Sequence, residues 1–402
     1  MRSRTVKRAF RYRFHPTAVQ AAALSRTFGC VRKVYNLALA ARSEAWGRGE
    51  RVTYARTSAM LTQWKRTEEL AFLADVSSVP LQQALRHVQS AFAAFWDKRA
   101  RHPRFKSKKR SRATAEYTRS AFVLRGGQLT LAKMKDPLDV VWSRPLPEGA
   151  EPSTVTVSRD AAGRYFVSLL CEDVPAELSG GTRAVGIDVG ITSLVTLSTG
   201  EKIGNPRHGR RERARLTRAQ RELARKEKGS RNRFKARVKV ARIHARVADR
   251  RRDALHQLST RLVRDNQTLV IEDLPVRNML GNHALARSVS DAGWAMLRSM
   301  LEYKCAWYGR ELIVIDRWFP STKLCSSCGR LADVLPLGVR RWTCGGCGTT
   351  HDRDVNAAVN LLAAGLAVAV CGDGVGPQRN SPEGRRSAKQ KSRPVREGTL
   401  SS

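Results

Sequence analysis

The chain has 402 residues, and its 74 Lys and Arg against 35 Asp and Glu give a formal net charge of +39. A positive field of this size attracts phosphates nonspecifically, so it excludes an ordinary metabolic enzyme as the default interpretation and predicts a nucleic-acid partner. With 42% hydrophobic residues, the chain is long enough for about two to four folded domains.

The sequence also predicts where the protein works. It contains no run of about 18 or more apolar residues, and the basic N-terminus lacks the apolar stretch of a secretory signal. We therefore expect no membrane span and no secretion, and a cytoplasmic location. The cysteines at positions 30, 171, 305 and 371 show no pairing pattern, which favours reduced thiols over disulfides.

The N-terminal region shows a strand pattern followed by helical patterns. Residues 8–14 alternate as in a strand, and Pro16 and Thr17 then predict the start of a helix. Apolar residues at helical spacing within 24–39 and 81–96 predict α-helices. We interpret this region either as a basic helical scaffold or as a direct grip on nucleic acid.

A basic run and a set of short strands follow. Residues 98–110 are mostly Lys and Arg around the aromatic Phe105, a composition that favours contact with backbone phosphates. Short strands are then predicted, with a hairpin turn at 160–163. The strands are 128–131, 138–142, 154–157 and 165–170. They predict a small, barrel-like β domain into which the N-terminal helices are inserted.

Acidic residues farther along the chain occupy positions that suit metal ions. Apolar strands at 183–188 and 268–272 end in Asp188 and Glu272. An acidic pair, Asp352 and Asp354, precedes a helical pattern, and either member could cap that helix. Asp273, next to Glu272, falls on the other face of its strand and is interpreted as structural.

Carboxylates on two strands and one helix predict a metal-dependent nuclease. Two divalent ions set about 3.5–4 Å apart activate water and stabilise the leaving oxygen in phosphodiester hydrolysis. Hard oxygen ligands favour Mg²⁺ or Mn²⁺. The strand that ends in Asp188 is also typical of actin-like and sugar-kinase ATPases, so that alternative stays open on this strand alone.

The most basic segment lies between the first two of these acids. Residues 207–252 contain twenty Lys or Arg and four acids. Gly229 and Ser230 interrupt an otherwise helical composition, which predicts two helices in a hairpin. The excess of charge is beyond what solubility requires and favours phosphate contacts along a duplex.

Two cysteine doublets form the strongest single motif. Cys325 and Cys328 precede Cys344 and Cys347, and fifteen residues separate the doublets. This spacing predicts a four-thiolate Zn²⁺ site. Four protein ligands leave no open position, so the zinc would be structural, and His351 is not needed as a ligand.

Together, these motifs resemble those of the TnpB family, which is transposon-encoded and similar to the compact type V CRISPR effectors. The resemblance covers the chain from about residue 5 to about residue 370, and it includes the sequences at 288–294, 302–309, 319–322 and 352–358. It implies a multidomain α/β protein. A RuvC-type, ribonuclease H-like nuclease domain would contain an inserted zinc ribbon, and a β-barrel wedge domain with an inserted helical recognition domain would precede it.

The resemblance also implies roles for single residues. Asp188, Glu272 and Asp354 match the family's catalytic, magnesium-binding acids, and the choice of Asp354 over Asp352 depends on this match. The four cysteines match the family's zinc ligands. The implied domains are residues 1–15 (first wedge strand), 16–100 (recognition), 101–180 (wedge), 181–318 (nuclease, first part), 319–350 (zinc ribbon), 351–370 (nuclease, last part) and 371–402 (disordered basic tail).

The implied function is that of an RNA-guided DNA endonuclease of a transposable element. Its partners would be a guide RNA from the transposon end and a double-stranded DNA target. The alternative is an RNA-guided or sequence-directed DNA-binding regulator that does not cleave and would need none of the three acids. An actin-like ATPase is disfavoured by the zinc motif and the charge. With no separate strand-joining site in the sequence, we expect cleavage that supports transposon persistence rather than excision itself.

Overall fold

The computed structural model describes residues 5–109, 111–175, 178–336 and 338–370. The predicted basic tail, residues 371–402, lies outside the described residues. Within the described part of the chain, no helix combines the length and the apolar character that crossing a membrane would require.

The N-terminal part is a strand followed by helices. These elements are β1 (Val6–His15), α1 (Ala18–Gly47), α2 (Tyr54–Trp64) and α3 (Ser78–Trp96). Helix α1 begins where predicted, because the Thr17 hydroxyl accepts a hydrogen bond from the Gln20 amide and the Gln20 side chain accepts one from the Thr17 amide. Helix α2 is not predicted from the sequence, since only Thr57 and Leu61 are buried and an apolar stripe is missing.

The N-terminal helices pack against an antiparallel sheet. Its region contains β2 (Ala113–Thr118), β3 (Phe122–Arg125), β4 (Gln128–Leu131), β5 (Asp139–Val141), β6 (Pro152–Arg159) and β7 (Tyr165–Asp173). The strand order is β2-β6-β7-β1-β5, and β3 pairs with β4 in a separate hairpin. One hydrophobic core joins Leu24 and Leu85 of the helices to Val157 of the sheet. The predicted strands are confirmed, and the closed barrel stays a prediction.

A second, mixed sheet forms the centre of the C-terminal half. Its strands are β8 (Ala184–Val189), β9 (Ser193–Leu197), β10 (Lys202–Gly204), β11 (Thr268–Glu272) and β12 (Glu311–Ile315). The order is β10-β9-β8-β11-β12, with β8, β11 and β12 parallel. Because parallel strands run in one direction, the carboxyl ends of these three strands lie at the same edge of the sheet.

Helices fill the connections between these strands. They are α4 (His208–Arg211), α5 (Arg213–Ala224), α6 (Arg231–Asp265), α7 (Val276–Met279), α8 (Ala286–Ala292) and α9 (Trp294–Tyr308). The predicted hairpin is confirmed: Gly229 has a φ of 94° between α5 and α6, and the Ser230 hydroxyl caps α6 by accepting from the Arg233 amide. Lys239 and Glu222 join the two helices with a 2.7 Å ion pair.

The cysteine region follows β12 and leads into the last helix. It contains β13 (Arg341–Thr343) and β14 (Thr350–Asp352), which pair antiparallel, and then α10 (Arg353–Val370). Helix α10 returns to the mixed sheet, where Leu361 packs with Val270 and Ile315 in a buried cluster. The helix therefore connects the cysteine region to the strands that end in acids.

Candidate metal centre and nucleic-acid interface

Asp188 and Glu272 lie side by side at one edge of the mixed sheet. Strands β8 and β11 are parallel, and their last pair is Ile187 with Ile271, so Asp188 and Glu272 follow at the same level of the two strands. Both acidic residues are half-buried, at the edge where the apolar strands emerge from the core. The predicted placement of two carboxylates at strand ends is therefore found in the structure.

Helix α10 brings Asp354 to the same edge because β8 carries a glycine. A Cβ atom at Gly186 would lie 2.0 Å from the backbone oxygen of Ala358, so only glycine allows the helix backbone to come this close. Gly186 precedes Asp188 by two residues and faces the same side of the strand. Ala358 follows Asp354 by about one helical turn. The contact therefore places the start of the helix over the end of the strand.

A second glycine on α10 makes a matching contact with β11. A Cβ atom at Gly365 would lie 2.5 Å from the Cγ2 atom of Val270, which precedes Glu272 by two residues. Helix α10 thus crosses both acid-bearing strands, on the face to which Asp188 and Glu272 belong. These two glycines were not assigned a role from the sequence. Their role depends on the helix that packs over them.

The charges of the other two acids affect the ionisation of Asp188. Burial raises the pKa of Asp188 to about 7, with further contributions from the negative charges of Asp354 and Glu272. The pKa of Glu272 is also raised, mainly by burial and then by the charge of Asp273. Like charges gathered at a partly buried edge oppose one another's ionisation, and a bound cation removes that penalty. Carboxylate oxygens are also the ligand type that divalent cations such as Mg²⁺ prefer.

This repulsion leads to a stability prediction. We expect Asp188→Asn to raise the melting temperature of the metal-free protein at pH 8, with a stabilisation of at most about 4 kcal/mol, since a tenfold change in proton affinity corresponds to about 1.4 kcal/mol. A pKa raised from 3.8 to about 7 means that the charged carboxylate destabilises the folded state. The charged carboxylate destabilises the folded state fully above pH 7, and this effect disappears as the pH falls toward 4. The difference in melting temperature between Asp188→Asn and the native chain should therefore shrink over the same pH range. Thermal melts across this pH range check it.

Magnesium provides the control for this prediction. Addition of Mg²⁺ should stabilise the native chain and have a much smaller effect on Asp188→Asn, which has lost one ligand. Asp265 forms an exposed ion pair with Arg264, and Asp265→Asn should show the native pH dependence of the melting temperature and the native response to Mg²⁺. An equal Mg²⁺ response in Asp188→Asn and the native chain would argue against a metal site at this edge.

The structure distinguishes between Asp352 and Asp354. The Oδ1 atom of Asp352 accepts hydrogen bonds from the amides of Asp354 and Val355, each at 3.1 Å, so Asp352 caps α10. Its Oδ2 atom lies 2.7 Å from Nζ of Lys202. Burial opposes ionisation of Asp352, but Lys202 and the two amides outweigh it and lower its pKa. Asp354 instead makes a 3.2 Å ion pair with Arg340, and its charge raises the pKa of Asp188.

Asp273 is a structural ion-pair residue, as its position in the strand predicts. Its carboxylate contacts the guanidinium groups of Arg298 on α9 and Arg317 after β12. Burial alone would raise the pKa of Asp273, but the two arginines lower it. The residue fixes α9 and the segment after β12 to the end of β11.

The four cysteine sulfurs form a cluster of the size that zinc requires. Their Sγ atoms all lie within 4.8 Å of one another. The separation is 3.7 Å for Cys325 and Cys347, and 3.6 Å for Cys328 and Cys344. Sulfurs bound tetrahedrally at about 2.3 Å from Zn²⁺ lie about 3.8 Å apart, so the cluster fits this ion. His351 Nε2 lies 3.1 Å from Sγ of Cys325, where it can hydrogen-bond the sulfur.

Two buried asparagines, which sequence reasoning missed, attach this cluster to α10. Asn356 accepts a hydrogen bond from the Ser326 amide and donates to the Leu324 carbonyl. Asn360 donates to the carbonyls of Leu324 and Ser321. The available signal was their spacing of four residues within an apolar helix, which places both on one face. The same helix therefore carries Asp354 and anchors the cysteine region.

Loss of one thiolate should reduce zinc binding. We expect Cys328→Ser to retain less zinc than the native chain after dialysis against a chelator, because a hydroxyl is a poor replacement for a thiolate. Its melting temperature should also fall, since the cluster's small core includes Cys325, Cys344 and Trp342. Cys30→Ala is the control, because Cys30 is buried in the N-terminal core. The zinc content of each protein is measured by atomic absorption. An unchanged zinc content in Cys328→Ser would contradict the assignment of the cysteine cluster as a zinc site.

A basic cleft lies along the helical hairpin. It has a volume of about 900 Å³ and is lined mainly by cationic side chains. The basic lining residues are Arg210, Arg213, Arg218, Arg221, Arg225 and Lys226. Cations at this density can neutralise successive phosphates of a nucleic-acid backbone. The first part of the predicted charge concentration, residues 210–226, therefore lines one cleft.

Comparisons with known proteins agree with these features. Family models described as "Probable transposase", "Cas12f1-like, TNB domain" and "Helix-turn-helix domain" match residues 168–283, 294–361 and 1–51. A Streptomyces pristinaespiralis protein named "Putative RNA-guided DNA endonuclease" is 70% identical over 96% of both chains. An Escherichia coli K12 protein named "Putative RNA-guided DNA endonuclease InsQ" is 31% identical over 91% of this chain and 94% of that protein.

The structural comparison identifies the class of fold. The cryo-EM structure of a Cas12f1 protein with sgRNA and target DNA aligns with a TM-score of 0.55 at 14% identity, covering 89% of this chain and 98% of that chain. The fold is that of the compact type V effectors. With the sequence relatives and the transposase match, the chain belongs to the TnpB family of transposon-encoded proteins.

Proposed function

We propose that this protein is an RNA-guided DNA endonuclease of a transposable element, and that Asp188, Glu272 and Asp354 form its catalytic centre. The observation that carries the proposal is the approach of these three carboxylates, from two strands and one helix, at one edge of the mixed sheet. The names of the Streptomyces pristinaespiralis and Escherichia coli relatives support the same activity. The charge of +39 and the basic cleft support a nucleic-acid substrate.

In this proposal the mixed sheet is the core of a RuvC-type, ribonuclease H-like domain, and the cysteine cluster is its zinc ribbon. Asp188, Glu272 and Asp354 hold Mg²⁺ or Mn²⁺. When bound as a pair, such ions activate water and stabilise the leaving oxygen in phosphodiester hydrolysis. Asp352 caps the helix and orients Asp354, while Asp273 holds two arginines away from the metal ligands.

The partners in this proposal are a guide RNA from the transposon end and a double-stranded DNA target. Base pairing between guide and target supplies the sequence specificity, while the protein contacts backbones and a short adjacent motif. The basic hairpin surface, from α4 to α6, would hold backbone phosphates. The wedge, recognition, nuclease and ribbon boundaries expected from the sequence are part of the same proposal.

The test is cleavage of a plasmid library by the full chain purified with RNA from its own locus, with and without Mg²⁺. Guide-matched ends that require Mg²⁺ would support the proposal and reveal the adjacent motif. Guide-matched binding without ends would instead favour the DNA-binding regulator.

A neighbouring pair of variants sharpens this test. Asp354→Asn should lose cleavage, whereas Asp352→Asn should keep most of it, because asparagine also caps helices well. Both changes remove one negative charge within the same turn of chain. Equal loss in the two variants would show that Asp354 has no special role.

A further inference from the structure

The turn after β12 presents an exposed tryptophan close to the proposed catalytic centre. Trp318 is 84% exposed, more than any other large hydrophobic side chain in the part of the chain that the structure describes. The Trp318 ring makes no aromatic or cation–π contact with any other described residue. An indole left in water forfeits the stabilisation that burial of its large apolar surface would give.

The position of this turn follows from the strand register. Ile315, the last residue of β12, pairs with Glu272, and its carbonyl accepts a 2.8 Å hydrogen bond from the Asp273 amide. Trp318 is three residues farther along the chain, so its Cα atom lies within about 11 Å of that of Ile315. The turn that carries the exposed indole therefore lies at the edge of the sheet where Asp188 and Glu272 lie.

The backbone of the turn is anchored although the indole is free. Arg317, on one side, contacts the carboxylate of Asp273. Phe319, on the other side, packs against the buried cluster below α10. The Trp318 amide itself donates a 2.8 Å hydrogen bond to Oδ1 of Asp316. An aromatic ring held on a fixed backbone loses little further entropy when a ligand stacks on it.

We propose that Trp318 is a stacking platform for an unpaired base of the DNA strand that enters the catalytic centre. This inference depends on the proposed endonuclease function. A nucleobase is the occupant that fits, because the net charge of +39 favours a nucleic acid and a strand near the carboxylates exposes bases with flat apolar faces. Stacking also tolerates any sequence, as cleavage directed by a guide requires.

The test combines a protein variant with a DNA lesion. Single abasic sites are placed one at a time along the cut strand of a guide-matched target, and cleavage rates are compared for the native chain and Trp318→Ala. Trp318→Ala should cut an intact target about 5- to 150-fold more slowly. In the native chain, one or two abasic positions near the cut should cause a similar loss, and Trp318→Ala should not be slowed further by them.

Control variants separate stacking from a structural role. Trp318→Phe should retain much of the rate, and the melting temperature should not change in either Trp318 variant, because the side chain is exposed. Trp46→Ala removes another exposed tryptophan, 70% exposed at the end of α1, and should be slowed by the abasic positions as much as the native chain is. A native cleavage rate in Trp318→Ala, or undiminished sensitivity to the abasic positions, would overturn the proposal.

A binding measurement decides the question even if the native chain does not cut. In Asp188→Ala protein, a single-stranded oligodeoxynucleotide should quench tryptophan fluorescence, and an abasic oligomer of the same length should quench less. Adding Trp318→Phe to this variant should remove that difference. If the difference persists, Trp318 is not the stacking residue. If the native chain does not cut DNA but this quenching difference is present and depends on Trp318, the endonuclease function alone is refuted.

Discussion

Asp188→Ala is expected to abolish guide-directed DNA cleavage while leaving guide RNA binding intact. Asp188 is the residue on which the charges of both Asp354 and Glu272 act, so its loss removes the central ligand of the proposed metal centre. If the metal centre supplies about 4 kcal/mol of charge stabilisation, the rate should fall by about 10³-fold or more. The measurement is single-turnover cleavage of a guide-matched target in Mg²⁺, with RNA affinity measured on the same preparation.

The control for this variant removes a carboxylate of the same kind elsewhere. Asp265→Ala makes the same change in net charge at the exposed C-terminal end of α6 and should cut at the native rate. RNA affinity should be unchanged in both variants, because a chain of net charge +39 alters little when one acid is lost. Cleavage by Asp188→Ala at even a tenth of the native rate would contradict the assignment of Asp188.

Gly186→Ala is expected to destabilise the mixed sheet and to lose most of the cleavage activity. The added Cβ atom would meet the Ala358 oxygen at 2.0 Å and the Leu362 amide nitrogen at 2.8 Å, both of which are backbone atoms of α10. A side chain could rotate away, but a helix backbone must move as a unit. Overpacking of this kind costs about 1–3 kcal/mol and sometimes more. The displaced helix would carry Asp354 away from Asp188.

The measurements for Gly186→Ala are the midpoint of urea unfolding and the single-turnover cleavage rate. Gly204→Ala is the matched control, because it also lies in a strand of this sheet and its Cβ atom would meet no atom within 4 Å. It should leave both quantities near the native values. Native stability and activity in Gly186→Ala would show that α10 does not need its close approach to β8.

The same helix explains how much of the site could be predicted. The cysteine spacing predicts a four-sulfur cluster because the ligands are local in sequence, and the sulfurs do lie within 4.8 Å of one another. Apolar strands that end in Asp188 and Glu272 could also be recognised locally. The cap could not be chosen between Asp352 and Asp354 from the residue pattern, since both lie at the start of the helical pattern and only the hydrogen bonds of Asp352 identify it as the cap.

Some features gave no usable signal in the sequence. Helix α2 has too few buried residues to produce an apolar stripe. The pairing of β1 with both β5 and β7 joins segments more than a hundred residues apart. Arg340 reaches Asp354 from the cysteine region, where nothing in the local pattern marks it. Each of these depends on contacts between distant parts of the chain.

The sequence by itself determined the chemistry of this protein: a strongly basic chain, acids at the ends of apolar strands, and four thiolates at zinc spacing. These properties depend on composition and local periodicity, which folding does not change. Only the tertiary structure decided how α10, which carries Asp354, crosses the two acid-bearing strands, because that depends on close contacts at Gly186 and Gly365. It also decided that Trp318 stays in solvent beside them, since burial depends on what packs nearby rather than on residue type.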